Sequence, residues 1–165
     1  MSVSVCNGQS GTTGQGAGMA KSGSSVLNTG SLANVPDLTL GVAVSSSNAA
    51  IIVSTDGGIA VNSAVANQYV FVDIFLLVDI PATPTSPATS TQIGRRRLFA
   101  GNLLGQQGFA NWAFSVIDVQ PSGVSYTYRV AAQLVGNNGS AAIVSGSAMN
   151  APWLRGTLTA VLINK

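Results

Sequence analysis

Histidine and glutamate do not occur in this chain, and cysteine occurs once, at Cys6. Without His or Glu, acid and base work at neutral pH would fall to five aspartates, to tyrosine or to lysine. The many serines have no imidazole to activate them, so an enzyme is not expected. A single cysteine excludes an internal disulfide framework and a cysteine metal cluster. It leaves two readings of Cys6, an inert thiol or one that pairs between molecules. The aspartates lack the short, clustered spacing of a calcium loop, so no metal and no cofactor is expected.

Charge is also scarce. Asp and Arg/Lys together make 7% of residues, against a hydrophobic fraction of 46%. Soluble domains usually carry about 25% charged residues, so much of this surface is expected to lie against copies of the same chain. The net charge is +2, and three of the seven cations sit together at Arg95–Arg97. That is no basic face for nucleic acid. No apolar run is long enough for a membrane helix, and no membrane partner is expected. The N-terminal MSVSVCNGQSGTTGQG has neither a cationic start nor an apolar stretch, unlike a Sec signal peptide. A place outside the cell, or on a cell or spore surface, would then be reached by lysis, with a virion, or by deposition from a mother cell.

What is abundant is β-strand pattern. In Gln68–Ile80, QYVFVDIFLLVDI, alternate positions Val70, Val72, Ile74, Leu76, Val78 and Ile80 form one aliphatic face, as a core-facing strand requires. The other face, Tyr69, Phe71, Asp73, Phe75, Leu77 and Asp79, is also mostly apolar. A strand wet on one side does not look like this, so a second layer or a neighbouring subunit is expected to cover that face.

Residues 1–35 are rich in Gly, Ser, Thr, Asn and Gln and bury too little apolar area to fold alone. They are expected to form a connector arm, with Val3 and Val5 on one face of a short strand, held by a neighbouring subunit. Extended, such an arm reaches on the order of 100 Å. Residues 36–165 are expected to form the folded domain. Asp37–Val44 alternates, and Thr55-Asp56-Gly57-Gly58 between two β-like runs predicts a hairpin. Pro81, Pro84 and Pro87 mark residues 81–92 as an extended exposed loop. Strands are expected at Ile93–Ala100, Phe109–Val119, Ser125–Val135, Ser140–Ser145 and Trp153–Asn164. No segment keeps a helical period. Eight or nine antiparallel strands joined by turns predict an all-β sandwich or barrel.

The order of an aromatic strand, a PSG turn, SYTYRV, an NNG turn, a small-residue strand and a terminal RGTLTAVLIN over Phe109–Asn164 resembles jelly-roll domains of the tumour-necrosis-factor and C1q type. Bacteria and phages use such domains in spore-surface and fibre proteins. With the Gly-rich, Cys-bearing arm ahead of it, the chain is similar in plan to endospore-appendage subunits. The resemblance implies a jelly-roll β-sandwich whose arm docks into another subunit, sometimes through cysteines. Appendage subunits usually carry several cysteines, whereas Cys6 stands alone here.

Arg95 and Arg97 point to one side of their strand and Arg96 to the other. Three readings stand: edge charges that block unwanted pairing, arginines that meet Asp73, Asp79 or Asp118 of a neighbour, or a site for phosphate or glycan. The candidate interface residues are therefore Val3, Val5, Cys6, Tyr69, Phe71, Phe75, Arg95 and Arg97. The expected function is a structural subunit that self-assembles into an extracellular filament by arm docking and strand addition, with copies of itself as partners and a possible anchoring or capping protein. The alternatives are a trimeric binding head, with the Pro-rich loop touching a receptor or glycan, and a viral coat or decoration subunit.

Overall fold

The computed structural model describes residues 15–21, 25–44, 49–104, 106–121, 124–145 and 152–164. Ten strands are found there: β1 (Gln15–Lys21), β2 (Ser25–Leu27), β3 (Ala33–Val44), β4 (Ala49–Val61), β5 (Tyr69–Ile80), β6 (Thr89–Gly101), β7 (Phe109–Asp118), β8 (Val124–Asn137), β9 (Ala142–Val144) and β10 (Thr157–Asn164). One 3-10 turn spans Pro152–Leu154, and no α-helix occurs among the described residues. All pairings are antiparallel. In the first sheet β4 is flanked by β7 on one edge and by β10 and β9, end to end, on the other, with β1 and β2 outside those. The second sheet runs β3-β8-β5-β6.

The two sheets form a β-sandwich. The alternating aliphatic residues of β5 face inward, and Val70, Val72, Ile74, Leu76 and Val78 are wholly buried. Leu38, Leu40 and Val42 of β3, together with Tyr126, Tyr128 and Val130 of β8, extend that layer. Against it pack Ile51, Val53, Ile59 and Val61 of β4, and Leu158 and Ala160 of β10. Each such side chain removed from water contributes roughly 1.5–3 kcal/mol, so alternation within the strands is what closes the sandwich. The connections β2–β3, β4–β5, β6–β7 and β8–β9 gather at one end, called here the upper pole, and β3–β4, β5–β6 and β7–β8 at the lower pole.

Three expectations need correction. The connector arm does not extend to residue 35: β1 and β2 pair with this chain's own β10 and β9, from Gln15 opposite Ile163 to Leu27 opposite Ala142. A polar, Gly-rich strand is held there by backbone hydrogen bonds, which need no apolar side chains. Val3, Val5 and Cys6 lie outside the described residues. Residues 81–92 are not one extended loop either, because β6 begins at Thr89 and Thr83 and Ser86 close a tight turn through paired backbone hydrogen bonds.

The expected hairpin at Asp56-Gly57 is absent, and β4 runs straight through it. Its glycines serve a close approach instead. The buried indole of Trp112, opposite Gly57 in β7, lies against the strand, and a Cβ at Gly57 would come within 2.3 Å of its Cζ2. Trp112 Nε1 donates to Thr55 Oγ1 at 3.2 Å, and that hydroxyl donates to the Thr157 carbonyl at 2.9 Å. The tryptophan thereby ties β7 through β4 to β10. Gly57→Ala is expected to lower unfolding stability by about 3 kcal/mol, the upper end for overpacking a filled site, as read by denaturant titration; an unchanged midpoint would refute the role given to this glycine.

Candidate functional site

The ion pairs found among the described residues lie on the outer face of the second sheet. Asp73 projects outward from β5 yet its residue is 0% accessible, because two arginines of the neighbouring β6 close over it. Arg97, directly opposite in register, donates from Nε to Oδ1 at 2.7 Å and from Nη2 to Oδ2 at 2.9 Å. Arg95 binds Oδ2 as well and stacks its guanidinium 5.3 Å from the Phe75 ring centroid. Further along the face, Arg129 of β8 donates from Nε to Asp79 Oδ2 at 2.8 Å and from Nη2 to Ser90 Oγ at 3.0 Å, and also binds Asn34. Phe75, Leu77 and Ala131 form a small second apolar cluster beneath this layer.

Arg95 and Arg97 thus hold an aspartate of their own chain, and the expectation that they reach a neighbour's carboxylates is corrected. Phe75 is also removed from the candidate interface, because Arg95 and its strand neighbours bury it. Both changes have one cause: strand register sets Asp73 opposite Arg97 and Phe75 opposite Arg95, and cross-strand neighbours interact before any second molecule arrives. Arg96 faces the other way and lies 5.5 Å from the Phe114 ring centroid, closing the open side between β6 and β7.

The upper pole is the opposite in character. Of twelve exposed large hydrophobic residues among those described, eight gather there. Phe71, Phe99 and Val135 lie on the strand ends, while Leu103 and Leu104 tip the β6–β7 connection at 68% and 88% exposure. Leu32, Val65 and Phe109 complete the set. Tyr69 and Phe71 meet edge to face with ring centroids 5.7 Å apart, and Phe71 and Phe99 lie 5.0 Å apart. No charged residue occurs in 28–34, 62–69, 98–109 or 135–141. Tyr69 and Phe71 are among the interface candidates expected from sequence and the leucines are not, although Arg97 and Asp118 bracket twenty consecutive uncharged residues.

This pole is held in place by two asparagines. The buried Asn102 donates from Nδ2 to the carbonyls of Ser63 at 2.6 Å and Val65 at 3.0 Å, while its Oδ1 accepts from the Gly108 amide at 2.8 Å. Asn138 accepts from the Tyr69 amide and donates to the Asn67 carbonyl, each at 2.8 Å. Three connections are thereby fastened together beneath the apolar surface. Such preorganisation reduces the ordering cost of an association.

At the lower pole a groove of about 360 Å³ opens beside the Pro-rich turn, lined by Asp79, Pro81, Thr89, Ser90, Ser125 and Thr127 among others. Tyr128, buried in the core, donates to Asp118 Oδ2 at 2.7 Å. Burial, and then that carboxylate, push its hydroxyl pKa well above the usual tyrosine value, so it stays protonated. Among the described residues no group of three or more potential metal ligands converges.

No protein-family model matches the chain, and no curated protein matches it. Among solved structures, a chain from "Structure of infectious bursal disease virus Gx strain" is similar at 13% identity, over 90% of this chain and 35% of that one, with a TM-score of 0.26. The chain therefore spans about a third of the length of that viral chain. A likeness at this level does not distinguish one all-β arrangement from another.

Two outcomes are expected. The hydrogen bonds from Arg97, joined by those from Arg95, hold the Asp73 carboxyl below its ordinary value of 3.8 against the opposing effect of burial. A depressed folded pKa contributes stability that is complete above the unfolded value and is lost as pH falls through the folded one. The stability gap between wild type and Asp73→Asn should therefore narrow between about pH 5 and pH 2 in denaturant titrations; a constant gap would refute the ion-pair account. Asn102→Ala, which removes three side-chain hydrogen bonds, should cost about 2–3 kcal/mol and speed amide exchange in residues 63–68 and 102–108.

Proposed function

We propose that this chain is a non-enzymatic structural subunit that assembles with copies of itself, and that the assembly is an extracellular filament. The observation that carries this reading is the upper pole: rigid, apolar and wholly uncharged. An exposed apolar surface of that kind marks an interaction site. Aromatic side chains without carboxylates or lysines among them are the composition of an interface core.

Two further features support the finer parts of the reading. With β1/β2 and β9/β10 each taken as one interrupted strand, every step along the chain except β5–β6 crosses between the sheets, so that β1/β2, β10/β9, β4 and β7 make one layer and β3, β8, β5 and β6 the other, an order in keeping with a jelly roll. Strand addition is supported by β7, an edge strand with ten regular residues and no charge before Asp118, because an unpaired regular edge is a template for another strand. A trimeric binding head is a second reading, favoured by the hydroxyl-lined groove beside the Pro-rich turn.

Sedimentation velocity over a concentration series, with negative-stain electron microscopy of the same samples, tests the proposal. The association should vary little between about 0.05 and 0.5 M salt, since screening acts on charges and this pole has none. Long uniform filaments are the expected result. A single monomeric species at all concentrations would overturn self-assembly, and discrete threefold particles would replace the filament by the binding head.

A further inference from the structure

The upper pole has a counterpart at the far end of the molecule. On the outer face of the first sheet, Ile117 of β7, Ile52 of β4 and Val161 of β10 lie side by side in register, with Ala50 opposite Ile163 in the next row toward the lower pole. Ile117 is 73% exposed, and Val119 beside it is exposed as well. The next row in the other direction is Ser115, Ser54 and Thr159, with Ser54 and Ser115 hydroxyls bonded to each other at 2.8 Å. The first charge met on this face of β4 is Asp56.

We propose that the upper pole of one copy docks onto this Ile52–Ile117–Val161 face of the next, joining subunits head to tail. The inference rests on the self-assembly reading above and gives it a partner surface. The shapes differ in the way such a contact requires. Leu103 and Leu104 tip a tight turn closed by backbone hydrogen bonds between Leu103 and Gln106, with Leu104 in the left-handed region at φ 51°. The receiving face is regular, with no register shift between β4 and β7 or between β4 and β10. Two projecting tips pressed together cover little of each other, whereas a tip laid on a regular sheet is covered around its circumference.

Electrostatics excludes the other broad face as receiver. The outer face of the second sheet carries Arg95, Arg97, Arg129 and Asp79, all at least partly exposed, and an apolar tip placed there would strip water from those charges without offering partners. The patch of the first sheet around Ile52, Ile117 and Val161, two rows from Asp56, imposes no such cost. Because the two surfaces differ and lie at opposite ends, the contact is heterologous and does not close on itself by pairing two copies; repetition gives a ring or an open filament.

The test uses two exposed substitutions of like charge, Leu104→Glu for the pole and Ile117→Glu for the face, each checked for an unchanged thermal melt. In sedimentation velocity, each variant alone should lose association by at least about tenfold relative to wild type. An equimolar mixture should form one-to-one dimers and nothing larger, because only one intact pole and one intact face then remain to meet. Dimers of Ile117→Glu alone would overturn the proposal in favour of a pole-to-pole contact. A mixture that stays monomeric while wild type assembles would overturn it and leave self-assembly standing. A wild type that is monomeric but binds phosphatidylcholine vesicles, and loses that binding with Leu104→Glu, would overturn both readings and make the pole a bilayer contact.

Discussion

The rest of the structure answers to one constraint: from Val72 to Val78, β5 shows neither of its faces to water. Its even-numbered residues are aliphatic throughout, and its odd-numbered residues include Phe71, Phe75 and Leu77. A strand of this kind belongs in the interior of its sheet, and it is placed there, between β8 and β6. The inward face is covered by the first sheet through alternation alone. The outward face has no second layer in the described chain, and it is covered by long cationic side chains from the strands on either side. Arginine suits that task because its stem is apolar and its head forms two parallel bonds to a carboxylate. Asp73 is therefore part of the cover, a fixed point to which Arg95 and Arg97 are drawn across Phe75.

That use of charge shapes the remaining surface. The sequence has five aspartates and seven cations, and Asp73, Asp79, Arg95, Arg97 and Arg129 are committed to one face. Asp118 is turned to Tyr128 and Gln120. Few charges then remain to solvate the upper pole or the outer face of the first sheet. A low charge count is one property of composition; the commitment of five of the twelve charged residues to one face leaves the upper pole and the Ile52–Ile117–Val161 patch without any.

Legibility from sequence followed the range of the forces involved. The inward face of β5, the strand at Ser125–Val135 within β8 and the scarcity of helix were visible because period-two alternation is a local signature of a two-sided sheet. The Asp56-Gly57 signal misled because the local preference for a turn was overruled by Trp112, more than fifty residues away. The strands at Gln15–Lys21 and Ser25–Leu27 were hidden because what holds them is backbone pairing with β10 and β9, and composition carries no trace of it. Arg95 and Arg97 were recognised as the chief polar feature, but their partner depends on register, which a bulge between Leu76 and Leu77 helps to set. The Leu103–Leu104 tip carried no periodic signal at all; its only trace was the long uncharged interval around it.

The edges of the sandwich explain why these adhesive surfaces need not lead to indiscriminate pairing. In the second sheet, β6 carries three consecutive arginines and a bulge, and β3 carries Pro36, a positive φ at Asp37 and a register shift between Asn34 and Thr39. Proline, charge and bulges each prevent another strand from adding to an edge. In the first sheet, β7 has none of these devices along Phe109–Ile117. Protection is thus unequal: both edges of the second sheet are blocked, while the first sheet keeps one regular edge beside the very face on which Ile52, Ile117 and Val161 lie. A chain under pressure only to remain monomeric would have blocked that edge as well, so the distribution of blocking features argues, with the poles, for contacts confined to one sheet.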